Sequence, residues 1–177
     1  MFSVKELQHN DIPLLLNYWF TAEDAFLTGM GVDLSKMPTQ DQFKEMLIQQ
    51  LDTPIQQKKS YCIIWLLNGN PVGHCNTNPT SFGDEAKMHL HLWHSEERSK
   101  GSGVTFLKLT LPLFFHKLQL QTLWCEPYAL NPAPNRTLDK VGFDLVKEYV
   151  TIPGFINFEQ PVKQWKMSVN KFKQLDL

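Results

Sequence analysis

At 177 residues the chain is long enough to bury roughly 70% of its unfolded surface, and a single domain spanning residues 1–177 is expected. With 42% hydrophobic and 20% charged residues it is not composed like a disordered chain. A formal net charge of -1 lacks the positive field of a nucleic-acid binder, and no apolar run reaches the roughly 18 residues of a membrane span, so neither kind of partner is expected.

Phe2 to Lys5 alternates as a strand does, and Asn10, Asp11 and Pro13 offer a cap and a first-turn proline for a helix through Leu14, Leu15, Tyr18 and Trp19. Thr21 to Pro38 reads as a loop. At Thr39 a capping box with Gln42 opens a second helix, whose apolar stripe is Phe43, Met46, Leu47 and Leu51. Ser60 to Leu67 and Val72 to Asn76 are β-rich runs separated by Asn68-Gly69-Asn70-Pro71, which predicts a hairpin. Ala86 to Trp93 is the next strand. A glycine loop then leads into a helix carrying Val104, Leu107, Leu111, Phe114 and Phe115, where Pro112 predicts a kink or an early end. Leu120 to Glu126 reads as a strand, Pro132 to Val141 as a helix closed by Gly142, and Phe143 to Val150 and Val162 to Val169 as the final strands.

The three cysteines, Cys62, Cys75 and Cys125, show neither a CxxC pair nor a zinc spacing, so they read as reduced core thiols and no metal is expected. The first residues lack a signal-peptide apolar stretch, and a cytoplasmic location is expected.

Chemistry first appears at Arg98-Ser99-Lys100-Gly101-Ser102-Gly103. A helix N-terminus presents unpaired N–H groups, and glycines just before it let backbone approach a phosphate. A Walker loop would need Lys-Ser/Thr after its last glycine, whereas Val104 follows Gly103. A dinucleotide fingerprint would need a glycine where Phe106 stands. The remaining pattern, Arg-x-x-Gly-x-Gly, resembles the loop of the GNAT acetyltransferase superfamily; the plainer reading is a tight strand-to-helix turn. Leu123 to Asn131, followed by Lys140-Val141-Gly142-Phe143, looks like that family's fifth strand, asparagine, helix and closing Gly-Phe. Within the superfamily the chain looks closest to the ribosomal-protein N-terminal acetyltransferases.

The resemblance implies an α/β fold of the α+β kind: a mixed, mostly antiparallel twisted sheet of about six or seven strands, splayed between the fourth and fifth, with about four helices. It implies transfer of an acetyl group from acetyl-CoA to a small-molecule amine or a peptide N-terminus, by a monomer or homodimer. Backbone at Leu92, Trp93 and His94 would bond the cofactor arm. Arg98, Ser99, Lys100, Gly101, Ser102 and Gly103 would take the pyrophosphate, with Asn131 and Asn135 further cofactor contacts. Asn131 is equally a good helix cap.

An amine must lose its proton to attack, which at pH 7 costs about 4.6 kcal/mol for a lysine but little more than about 1 for an α-amino group. Glu126 stands where the resemblance puts a glutamate base, and it reads otherwise as an exposed strand-end carboxylate. His89 and His91 share one face of their strand and are alternative bases or packing residues. His74 is a weaker candidate, and His9 and His116 read as surface residues. The family's tyrosine acid matches Leu138 here, so that role is unfilled, with Tyr128 a nearby substitute. Acceptor choice is expected in residues 21–38 and 151–161, with Phe26, Phe155 and Phe158 as walls. A non-catalytic acyl-CoA-binding module of the same fold is the alternative.

Overall fold

The computed structural model describes residues 1–93, 101–175 and 177, so the expectations for His94, Arg98, Ser99 and Lys100 lie outside the described residues. Seven strands form one sheet in the order β1-β2-β3-β4-β5-β7-β6. They are β1 (Phe2–Glu6), β2 (Tyr61–Leu67), β3 (Asn70–Thr80), β4 (Glu85–Leu92), β5 (Thr122–Cys125), β6 (Asp144–Thr151) and β7 (Gln160–Ser168). Every pairing is antiparallel except β4 with β5. The hairpin between β2 and β3 turns on Asn68 and Gly69, both at positive φ, the combination a two-residue loop needs to match strand twist.

The helices are α1 (Ile12–Phe20), α2 (Asp24–Gly29), α3 (Gln40–Asp52), α4 (Ser102–Lys117), α5 (Pro132–Val141) and α6 (Val169–Phe172). Two of these are short additions to the four expected. The segment read as a loop from Thr21 to Pro38 contains α2, which is too short to show a period in sequence. Its Leu27 is held by packing with Tyr18, Trp19 and Val32. The Thr39 capping box forms as expected, with Gln42 N–H donating to Thr39 Oγ1 at 3.2 Å and Thr39 N–H to Gln42 Oε1 at 2.9 Å. Asp11 instead turns backward, accepting from Gln8 N–H and from the Lys5 ammonium. Nor does α4 end at Pro112. It continues to Lys117, and the carbonyl that loses its partner belongs to exposed Lys108, where water can serve.

Alternation along the central strands separates two faces. Ile63, Trp65, Cys75, Met88 and Leu123 face α4 and pack with residues such as Phe106, Leu111 and Phe114 in the main core. Each such burial contributes about 1.5–3 kcal/mol. The opposite face carries Cys62 and Ile64 against Leu15 of α1. All three cysteines are buried and free.

The β4–β5 ladder ends at the Met88–Cys125 pair, while β4 runs on to Leu92. β5 stops because Pro127, two residues beyond Cys125, has no N–H to donate to a ladder. Two strands paired at one end and parted at the other leave a wedge in the middle of the sheet. Among the described residues, no helix is long and apolar enough to cross a membrane.

Candidate active site

Two cavities meet in this wedge. One, of about 670 Å³, lies between the N-terminal ends of α4 and α5 and is lined by Leu92, Gly101, Gly103, Asn131, Arg136 and Thr137, among others. The second, of about 400 Å³, lies where α1 and α3 cover the sheet and is lined by Trp19, Phe43, His74, His89, Glu126 and Tyr128, among others. Leu90, His91, Asn131 and Pro134 border both.

The first cavity opens onto backbone at the start of α4. Gly101 precedes α4 at φ 78°, a left-handed conformation that costs an L side chain about 1–2 kcal/mol. A Cβ on Gly103 would sit 3.4 Å from Thr137 Oγ1, so any larger side chain there would press on α5 or fill the cavity mouth. Ser102 and Gly103 are the first two residues of a 16-residue helix, whose leading N–H groups have no intrahelical acceptor. Arg136 and Lys140 bring positive charge to the same wall.

In the second cavity, His89 Nε2 lies 3.0 Å from the Asn78 carbonyl, which can only accept. The proton therefore sits on Nε2, and Nδ1 keeps a lone pair with no partner among the described residues. Burial lowers the His89 pKa, although the Asn78 bond opposes it, so the ring is neutral at pH 7. Trp93 Nε1–H donates to His74 Nδ1 at 2.8 Å, and burial lowers the His74 pKa to about 3. His91 stacks on His74 with centroids 4.6 Å apart, and its Nδ1 is 3.1 Å from the Tyr18 hydroxyl.

Glu126 is not an exposed strand-end carboxylate. Lys87 Nζ donates to Oε2 at 2.5 Å, while the Tyr149 hydroxyl at 2.6 Å and Gln164 Nε2 at 2.7 Å both donate to Oε1. Burial alone would raise its pKa, but the bonds from Lys87, Tyr149 and Gln164 together outweigh burial and hold the carboxyl below its ordinary value. That arrangement anchors β4, β5, β6 and β7 and makes Glu126 a weak base.

The sequence model of the acetyltransferase (GNAT) domain matches residues 3–144. The chain belongs to the GNAT acetyltransferase family. Among solved structures, the GNAT chain resembles the aminoglycoside acetyltransferase AAC(6')-Ib in complex with coenzyme A, at 15% identity and TM-score 0.76 with both chains fully covered. It resembles a chimera of the spermidine N-acetyltransferase SpeG from Vibrio cholerae at 18% identity and TM-score 0.76, over 98% of this chain and 99% of that one. The ribosomal L7/L12 α-N-protein acetyltransferase RimL, in complex with coenzyme A, matches at 10% identity and TM-score 0.76, over 96% and 95% of the two chains. At these identities the likeness is one of fold. No curated protein sequence matches the chain.

Several expected positions in this GNAT chain lie elsewhere. Asn135 borders neither cavity. Its Nδ2 donates to the Tyr128 and Asn131 carbonyls and its Oδ1 accepts from Trp165 Nε1, which occupies both amide N–H groups and one lone pair of the oxygen. Asn131 borders both cavities, and its Oδ1 accepts from Ala133 N–H at 3.3 Å, so it also caps α5. Leu138 is fully buried in the main core and cannot mark the position of an acid. One turn of α5 directs Pro134, Thr137 and Lys140 toward the first cavity and Leu138 away from it. Leu92 lines the first cavity, whereas Trp93 spends its N–H on the Val72 carbonyl and its indole on His74. His9, paired with Asp52, and His116 are exposed as expected.

Lys87, Asn78, Tyr149 and Gln164 had no sequence signal, because each acts through a partner distant in the chain. Arg136 and Lys140 were detectable as an i, i+4 basic pair on α5.

His74 makes stability pH-dependent. Above its ordinary pKa of 6.5 both folded and unfolded states are neutral; below it the unfolded chain takes up a proton that the folded chain refuses until about pH 3. Stability should fall by about 1.4 kcal/mol per unit below pH 6.5, or about 2 kcal/mol by pH 5. Melting temperature measured from pH 7 to pH 5 should show a steep decline that His74→Gln makes shallower, with buried His89 keeping a share of it. An equal slope in that variant would mean that the imidazole titrates normally.

Proposed function

We propose that the chain is an acetyl-CoA-dependent N-acetyltransferase that acylates a primary amine by direct attack, with both substrates bound together. The observation that carries this reading is the meeting of two cavities in the β4–β5 wedge, one edged by a glycine-led helix N-terminus and the other holding a neutral imidazole. The described residues fit the cofactor: Gly101, Gly103 and the first N–H groups of α4 would take the diphosphate, aided by Arg136 and Lys140, and Leu92 would run beside the arm. When bound, the thioester supplies an acyl carbon open to attack.

The remaining work falls to the chain's own residues. As the amine nitrogen forms its bond to the acyl carbon and the carbon–sulfur bond breaks, the nitrogen's proton passes to His89 Nδ1, directly or through one water. The Tyr128 hydroxyl, on the acceptor wall, is the proton source for the departing thiolate, whose pKa near 8.5 makes the demand modest. Glu126 holds the strand ends in place instead of taking the proton. Three buried, free thiols fit a reducing compartment, and we infer a cytoplasmic protein.

Thermal denaturation with and without coenzyme A tests the first half of this reading. Coenzyme A at 100 times its Kd should add about 2.7 kcal/mol, which raises the melting temperature by about 5–10 °C. Release of free thiol from acetyl-CoA in the presence of an amine tests the second half. A shift without turnover across an amine panel would favour the acyl-CoA-binding module, and no shift would remove both.

A further inference from the structure

The described residues that line the second cavity, read above as the acceptor site, carry almost no net charge. Of the described residues that line it, Glu126 alone is formally charged at neutral pH, and Lys87 neutralises it from behind at 2.5 Å. His74 and His89 stand neutral at the wall. Amides such as Gln50, Asn76 and Asn157 supply dipoles but no net charge.

Its other surface is apolar and incompletely covered. A helix packed on a sheet ordinarily buries its apolar stripe. Yet no residue of α3 is buried, and Met46 is 41% exposed. Phe43, Met46 and Leu47 border the cavity instead. Opposite them, the two segments expected to choose the acceptor are fastened to one another. Asn157 Nδ2 and Gln160 Nε2 both donate to the Gly31 carbonyl, at 2.8 and 2.9 Å, and Asp33 N–H donates to the Ile156 carbonyl at 2.7 Å. A Cβ on Gly31 would lie 2.1 Å from Gln160 Oε1, so this junction has no room to part around a side chain. Val32 and Ile156 thereby form a second fixed apolar wall.

We propose that the acceptor is a single primary amine carried on an uncharged apolar body, and that polyamines and polyamino sugars are excluded. This rests on the transferase reading given above. A second ammonium entering the cavity would shed water and meet no free carboxylate among the described residues, which is a net loss. An apolar body, by contrast, completes the cover that α3 lacks, and each buried methylene should improve binding about fourfold. The same desolvation lowers the pKa of the entering amine, so it reaches His89 with less of its proton to give up.

The test compares propylamine through hexylamine, phenethylamine, hexane-1,6-diamine and spermidine, each read in two ways: kcat/KM with saturating acetyl-CoA, and calorimetric binding to the protein loaded with coenzyme A. Both readings should rise about fourfold per methylene until the cavity fills, and hexane-1,6-diamine should fall about 30-fold or more below hexylamine because its second ammonium is buried unpaired. Met46→Glu, at an exposed rim position outside the cofactor and base machinery, should shrink that gap at least fivefold while leaving coenzyme A binding unchanged. Phenethylamine against the peptide amide Phe-Ala-Ala separates a free amine from a chain terminus as the source of this chemistry. A diamine that binds as well as hexylamine overturns the inference. Retained preference in binding with no turnover for any amine supports the inference and overturns the transferase reading, so the two failures are distinguishable.

Discussion

His89→Ala is expected to lower kcat/KM for amine acetylation by about 100-fold and to leave the Kd for acetyl-CoA within twofold of its native value. General-base catalysis contributes about 10²–10⁴, and the low end applies because burial has weakened the imidazole as a base. The cofactor should be indifferent, since His89 borders only the second of the two cavities. Free imidazole in the buffer should restore part of the lost rate by occupying the vacated space beside the Asn78 carbonyl. The native rate should decline as pH falls through the lowered pKa of the ring, in addition to the decline set by protonation of the amine, and the variant should keep only the amine's share. Unchanged turnover in His89→Ala would remove the residue from the mechanism.

Glu126→Ala is expected to act on stability. The Glu126 side chain is 3% exposed and that of Lys87 25%, so deleting the carboxylate leaves a largely enclosed ammonium whose remaining partner is the Pro153 carbonyl at 3.3 Å. Breaking a buried pair from one side costs about 3–5 kcal/mol, and partial exposure of Lys87 puts this case near 3. The melting temperature should therefore fall by about 6–12 °C. Glu126→Leu combined with Lys87→Met, which removes both charges, should recover most of that loss. The native contribution is complete above the ordinary glutamate pKa of 4.5 and disappears as pH falls through the lower folded value, so native and variant should converge in acid. Full stability in Glu126→Ala together with a collapse of turnover would return the base role to the carboxylate and take it from His89.

These two outcomes separate residues that sequence alone left as alternatives. Glu126, His89 and His91 could each be named because a strand end and a two-residue period put them near one face. Their chemistry depended on groups with no local signature. Asn78 sets the tautomer of His89 from 11 residues away, and Lys87, Tyr149 and Gln164 converge on Glu126 from separations of 23 to 39 residues. Leu138 illustrates the same limit. Matching by order along the chain put it at the site, but a single helical position, 100° around the axis from Thr137, turns a cavity residue into a core residue.

What the sequence determined by itself was whatever short-range physics dictates. The Asn68-Gly69 turn, the Thr39–Gln42 box, the Gly142 helix stop and the glycines leading into α4 each need only a few neighbouring residues to state their geometry. Tertiary structure alone decided the pairing of Glu126 with Lys87 at the second cavity, the locking of Gly31 to Gln160, and the existence of α2. Burial, pairing of charges and the packing that sustains a six-residue helix are properties of surfaces brought together from distant parts of the chain, and no window of sequence contains both sides of such a contact.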